Sequence, residues 1–261
     1  MRRGTVWHEK FKEDLELNTP LGLVLIVAGA SVAGVLVSRS CRAQEKTQTP
    51  LPPASQQVIA LFDGQPSDLE KHWVRTNGKP EHTWQVQGGV LRVNGGGDIA
   101  TREKWKDFQL HLEFRPPLMP PHVKGQKRGN SGVFLQGRYE IQILDSFAVP
   151  RPGKGDAGAV YDQAAPLLYA YKPGGEWQTY DIAFRAPRVD ATGKVTEPAR
   201  VTVLLNGFVV QNNQPIAKPT GAATDHKVAE AGHLRLQDHG DAVEFRRIRI
   251  VPLPEQGSQK Y

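Results

Sequence analysis

From Val58 onward, apolar and polar side chains alternate in short runs separated by turn residues: "TWQVQGGVLRVNGGG", "DFQLHLEFRPP", "SGVFLQGRYEIQILDS", "EWQTYDIAFRAP", "ARVTVLLNGFVVQ", "GHLRLQDHG" and "AVEFRRIRIVPL". Period-two alternation sends successive side chains to opposite faces of a strand. No stretch after residue 58 keeps a 3.6-residue period over three turns. Strands in this number and spacing predict an all-β domain, a two-sheet antiparallel β-sandwich or jelly roll rather than a small barrel.

Two of these runs have polar faces rich in chemistry. In "DFQLHLEFRPP", Phe108, Leu110, Leu112 and Phe114 share one face and Gln109, His111, Glu113 and Arg115 the other. In "GRYEIQILDS", Tyr139, Ile141 and Ile143 oppose Glu140 and Gln142. The bland reading of each is a solvated outer face of an antiparallel sheet. Against it, both runs lead into the long Gly/Pro-rich segments 116–130 and 146–176, which exceed the usual loop length inside a compact domain and so are expected to wall a cleft. "GHLRLQDHG" adds a strand ending in Gln237, Asp238 and His239; a lone His at a turn is more often a surface residue than a catalytic one.

The chain before Val58 reads differently. Pro20 to Val37 is apolar without a single charge and is bracketed by basic residues, among them Arg2, Arg3, Lys10 and Lys12 before it and Arg39 and Arg42 after it. Residues 1–43 are therefore expected to be a membrane-targeting segment. Its length favours a retained signal anchor over cleavage after Ala43 and over a core helix, which would show a polar stripe. Residues 44–57, rich in Pro, Gln, Ser and Thr, read as a linker, and 58–261 as the folded domain. The expected location is the cell envelope, exported and either membrane-anchored or periplasmic. Cys41 is the sole cysteine, which excludes an intrachain disulfide. The formal charge of +6 falls to +4 without residues 1–43, which hold six Lys/Arg and four Asp/Glu. No basic stripe interleaved with aromatics is present, so a nucleic-acid partner is not expected.

The segments "ALFDGQ", "TWQVQGGVLRV", "DFQLHLEFR", "GNSGVFLQGRYEIQILDS", "GEWQTYDIAFR" and "LRLQDHGDAVEFRRIRI" resemble, in this order, the bacterial 3-keto-disaccharide hydrolase family, formerly a domain of unknown function. The resemblance runs from about Leu61 to Pro252. It implies a concanavalin-like jelly roll of the laminarinase type with its site on a concave sheet, and cleavage of glycosides whose sugar carries a ketone at C3.

The residues add a mechanistic constraint. Laminarinase-type enzymes place carboxylates at alternate positions of one strand, at the short spacing that retaining hydrolysis requires. Here that strand reads Glu140, Gln142, Leu144, so double displacement on it is not expected. A C3 ketone acidifies the C2 proton and lets one base start β-elimination of the C1 substituent, after which water adds back. Such chemistry needs a base, a group to stabilise the enolate, and a proton for the leaving oxygen. Glu140, Glu113 and His239 are the candidate catalytic residues. Arg115, His111, Gln142, Gln237, Asn130, Tyr161 and Trp105 are the candidate substrate contacts, Arg115 facing the enolate and the aromatic faces meeting sugar. No cofactor is specified, and a divalent metal held by Glu113, Glu140 and His239 stays open on ligand type. The alternative from another class is a non-catalytic carbohydrate-binding module displayed at the envelope, with a protein-interaction domain a third; fold does not separate them. The geometric expectation is that Glu140, Gln142 and Glu113 share one surface with His239 at its end.

Overall fold

The computed structural model describes residues 58–76 and 83–255. The apolar segment Pro20–Val37, the linker 44–57 and Cys41 lie outside the described residues. Among the described residues no helix is long and apolar enough to cross a membrane. All of them belong to the compact unit Pro50–Tyr261.

The architecture is all-β, as the alternation predicts. The elements are β1 (Ile59–Phe62), α1 (Pro66–His72), β2 (Trp73–Arg75), β3 (Gln85–Gln87), β4 (Val90–Arg92), β5 (Ile99–Trp105), β6 (Phe108–Arg115), β7 (Ser131–Leu135), β8 (Tyr139–Ile143), β9 (Gln178–Arg185), β10 (Arg188–Val189), β11 (Val195–Glu197), β12 (Ala199–Leu205), β13 (Phe208–Ile216), β14 (Gly232–Leu236) and β15 (Glu244–Pro252). One antiparallel sheet runs β13-β12-β9-β6-β15-β4-β3, with β1 also paired to β15. The other runs β2-β5-β14-β7-β8, and β10 and β11 form a separate ribbon.

The two large sheets pack face to face over one apolar core. The first contributes Phe108, Leu110, Leu112 and Phe114 from β6 and Tyr180, Ile182 and Phe184 from β9; the second contributes Leu234 and Leu236 from β14 and Tyr139, Ile141 and Ile143 from β8. Each such side chain, taken from water, stabilises the fold by roughly 1.5–3 kcal/mol. Tyr139 meets Phe184 across the gap, ring centroids 5.7 Å apart. The buried Tyr180 hydroxyl donates to the Gln142 carbonyl at 2.6 Å, joining β9 to β8.

The β7–β8 hairpin sets the register on which the site depends. Its turn closes with the Arg138 amide donating to the Leu135 carbonyl at 3.0 Å. Gln136 and Gly137 both take positive φ, 56° and 70°, which lets the chain reverse between Leu135 and Tyr139, the last paired residues. A non-glycine residue holds the first of these positions because the Gln136 side chain is buried and donates to the carbonyls of Trp105 and Glu230, at 3.1 and 2.9 Å. This register sets Phe134 opposite Glu140 and Gly132 opposite Gln142 on the outer face.

Candidate active site

β8 is the end strand of its sheet, and its outer edge is closed by two other parts of the chain. The Gln142 amide donates to the Ala159 carbonyl at 3.0 Å, and the amides of Gly158 and Tyr161 donate to the carbonyls of Gln142 and Glu140, both at 3.1 Å. The Glu140 amide donates to Thr220 Oγ1 at 3.2 Å. The outward face of β8 is therefore roofed: Glu140 is 3% exposed and Gln142 1% exposed, which rules out a solvated face here.

Above these two side chains lies a cavity of about 90 Å3 lined by Gln126, Asn130, Glu140, Gln142, Tyr161, Ala222, Gln237 and His239. That is the volume of about three waters, room for the reacting edge of a sugar ring rather than a whole one. As the loop lengths predict, segment 116–130 supplies Gln126 and Asn130 and segment 146–176 supplies Tyr161. Segment 217–231, which the sequence reading leaves unremarked, supplies Ala222.

Burial pushes the Glu140 carboxyl up to about 7; Arg235 pulls it down and Asp98 pushes it further up. Glu140 is the single carboxylate among the residues lining the cavity. Around it stands an amide cluster. Gln142 Nε2 donates to Gln126 Oε1 at 3.0 Å, and Asn130 Nδ2 donates to the Gln126 carbonyl at 2.8 Å. With the Gln142 carboxamide turned over, its Nε2 lies 3.0 Å from Glu140 Oε1 and 3.3 Å from the Ser131 carbonyl. Gln142 can thus donate to an ionised Glu140 through nitrogen or accept from a protonated one through oxygen. Gly132 makes the close approach feasible, because a Cβ there would stand 2.5 Å from Glu140 Oε1 and 3.0 Å from its Cγ.

Of the residues singled out from the sequence, Glu140, Gln142, Asn130, Tyr161, Gln237 and His239 line this one cavity, His239 from an exposed position at its rim. Glu113, His111 and Arg115 do not join them. They project from β6 on the outer face of the other sheet, since Leu112 and Phe114 on the same strand point into the shared core. Period-two alternation tells outside from inside but not which sheet a strand joins, and long-range pairing places β6 between β9 and β15. Glu113 is held by Arg246 at 2.5 Å and Arg247 at 2.8 Å. Burial works upward on its carboxyl, but the hydrogen bonds and charges of those two arginines outweigh it and hold it below the usual range. Arg115 Nε donates to Glu244 at 2.6 Å and the guanidinium lies over the Trp177 ring, while His111 Nδ1 lies 2.7 Å from Asp181 Oδ1. Arg115 therefore cannot face an enolate at Glu140, and Glu113, Glu140 and His239 cannot share a metal. Trp105 is a correction of another kind. Its indole packs into the core at 6% exposure and donates to Thr101 Oγ1, so it offers no sugar platform.

Among the described residues no three His, Cys, Asp or Glu side chains cluster to hold a metal. One buried charged side chain near the cavity escaped the sequence reading although its signal was present. Arg235 alternates with Leu234 and Leu236, which places it on the outer face of β14 beside Gln237. It lies over the Phe134 ring, 3.7 Å from the centroid, and pairs with Asp98 at 2.9 Å.

The fold is a two-sheet β-sandwich, and the roofed cavity on its outer face is lined by a single carboxylate, Glu140. The chain belongs to the family described as the 3-keto-alpha-glucoside-1,2-lyase-like domain, whose model matches residues 57–251. A Bacteroides thetaiotaomicron protein named 3-keto-disaccharide hydrolase is 27% identical over an alignment covering 86% of this chain and 88% of its own. A crystal structure of a Parabacteroides distasonis protein proposed to be a glycosyl hydrolase is 40% identical with a TM-score of 0.67, covering 75% of this chain and 84% of the other. A second from that organism, 21% identical with a TM-score of 0.56 over 76% of this chain and 94% of the other, shares the fold.

Proposed function

We propose that the Glu140 cavity cleaves 3-keto-glycosides by abstracting the proton at C2. The observation that carries this reading is a lone, enclosed carboxylate whose proton affinity sits near neutrality, where a general base works best. Retaining or inverting hydrolysis of an ordinary glycoside needs two carboxyl groups flanking the bond, and one lines this cavity. With a C3 ketone one base is enough. Glu140 takes the C2 proton, the electrons of the C2–H bond delocalise onto the C3 oxygen as an enolate, and they return to form the C1=C2 bond as the C1–O bond breaks. The departing oxygen takes up a proton from Glu140 or from His239 at the rim, and addition of water across C1=C2 completes hydrolysis. The Gln237 carboxamide, whose nitrogen makes no hydrogen bond among the described residues, is the donor available to the developing enolate, while those of Asn130 and Gln142 are engaged with Gln126 and with each other.

The full-length protein is expected to consume 3-keto-glucosides and 3-keto-trehalose, with a primary isotope effect on C2 deuteration, and to leave the unoxidised sugars intact. Glu140→Gln should lower kcat by about 10²–10⁴-fold while retaining sugar binding. Equal turnover of the unoxidised disaccharide overturns the elimination mechanism. Binding without turnover of any keto-sugar makes the domain a carbohydrate-binding module.

A further inference from the structure

Gln237, just past β14, has its main chain pinned and its side chain unengaged. Its amide donates to the Gly132 carbonyl at 3.0 Å, and its carbonyl accepts from Ser131 Oγ at 2.8 Å. These bonds extend by one residue the pairing in which Arg235 faces Phe134 and Leu236 faces Val133. Gln237 thereby stands opposite Gly132, whose partner on the other side is Gln142. Val133 and Leu236 point into the core, so this row belongs to the outer face. Gly132 has no side chain to fill the space between the two glutamines, whose main chains lie two strand spacings apart, roughly 10 Å.

The Gln237 carboxamide lines the Glu140 cavity, and the protein satisfies neither of its polar atoms. Oε1 is buried without a hydrogen-bond partner, and Nε2 makes no hydrogen bond among the described residues. The neighbouring carboxamides are engaged with one another. Gln142 Nε2 donates to Gln126 Oε1 at 3.0 Å and to Asn130 Oδ1 at 3.3 Å, and Asn130 Nδ2 donates to the main-chain and side-chain oxygens of Gln126 at 2.8 and 3.1 Å. A buried acceptor without a donor is costly, and native structures keep few of them. Gln237 therefore asks of a ligand one acceptor for Nε2 and one donor for Oε1, side by side in the amide plane.

A 3-keto sugar carries that pair on adjacent carbons. Its C3 oxygen accepts, its 2-hydroxyl donates, and an equatorial 2-hydroxyl lies close to the plane of the carbonyl. The axial C2 proton leaves perpendicular to that plane, so a base on the ring face and a carboxamide at the ring edge do not compete for space. As the proton leaves, negative charge grows on the C3 oxygen and strengthens its bond from Nε2. We propose that Gln237 reads the C2–C3 edge of the substrate, Nε2 donating to the C3 oxygen and Oε1 accepting from the 2-hydroxyl. The cavity then takes keto-glycosides with a free equatorial 2-hydroxyl and rejects those substituted or deoxygenated at C2. Which carbons lie at Gln237 rests on Glu140 acting as the base; the demand for an adjacent acceptor and donor does not.

The test compares 4-nitrophenyl 3-keto-glucoside with its 2-deoxy analogue on the full-length protein. The ratio of their kcat/KM values should fall by about tenfold between the native protein and Gln237→Met, and taking the ratio between proteins cancels the intrinsic reactivity of the two substrates. Gln237→Met loses no protein hydrogen bond of the side chain and should melt no lower than the native protein. Recognition is also read without turnover. In calorimetric titration, 3-hydroxy-4-pyranone, a planar ring bearing the same ketone and hydroxyl pair, should bind the native protein about tenfold more tightly than 4-pyranone, and Gln237→Met should bind the two alike. A kinetic ratio unchanged by Gln237→Met, or equal affinity of the native protein for the two pyranones, overturns the proposal. If no keto-glycoside is turned over while the preference for the hydroxylated pyranone still depends on Gln237, the role of Glu140 fails and the recognition of the ketone and hydroxyl pair stands.

Discussion

Glu140 stands 3% exposed on a strand whose inward neighbours, Tyr139 and Ile141, are core residues, and burial is what lifts its carboxyl to about 7. Two consequences follow from one cause. As the base of the proposed reaction it acts only when ionised, so kcat/KM should rise with pH through about 7, and a pH–rate profile flat across that range would remove Glu140 from the role. For stability the sign is reversed. A carboxyl whose affinity for protons rises on folding takes one up, so its contribution is most favourable below its ordinary 4.5 and declines as pH climbs to about 7. Above that the ionised, buried group costs about 3 kcal/mol. Glu140→Gln should therefore melt close to the native protein at pH 4.5 and several degrees higher at pH 8, read by calorimetry. A melting difference that does not grow with pH would show that the carboxylate is solvated in the native state.

At the scale of elements, the hairpin β7–β8 joins backbone geometry to chemistry. Its turn fixes a register in which a one-residue slip would send Glu140 into the core and Ile141 to the outer face. Gly132 then leaves the Glu140 carboxylate its place, and in Gly132→Ala a Cβ 2.5 Å from Oε1 forces the carboxylate to move by about 1 Å. A misplacement of that order is expected to lower kcat/KM by about 10²-fold with the fold intact by circular dichroism. Activity within a few-fold of the native enzyme would mean that the carboxylate has slack. Much at this scale was legible from pattern alone. Every alternating run quoted from the sequence is a strand or a strand pair, and the outward direction of Glu140 and Gln142 follows from the isoleucines between and beside them. β5 was not legible, because Arg102, Glu103 and Lys104 are consecutive exposed polar residues that break the alternation. Nor was the short α1, whose seven residues span too few turns to show a period.

The assignment of strands to sheets is a property of the whole molecule, and it decided the remaining site residues. β6 and β8 carry the same alternating pattern, yet β6 pairs with β9 and β15 and β8 with β7, so Glu113 and Glu140 emerge on opposite outer faces of the sandwich. No local signal distinguishes these cases, since the partners of β6 lie 64 to 144 residues away. The two faces should respond independently. Glu113→Gln leaves Arg246 and Arg247 without their carboxylate and should cost about 1 kcal/mol of stability while leaving turnover unchanged, and its effect should add to that of Glu140→Gln. A loss of turnover in Glu113→Gln would reveal coupling across the core. The closed outer edge of β8 has a further meaning for the life of the chain. An end strand offers unpaired amides and carbonyls to any neighbouring polypeptide, and here those groups are taken by Ala159, Tyr161 and Thr220. The same docking roofs the cavity over Glu140. A newly made chain whose loops have not settled thus lacks its reactive site and also bears a template for aggregation, so catalytic maturity and colloidal safety arrive in a single folding event.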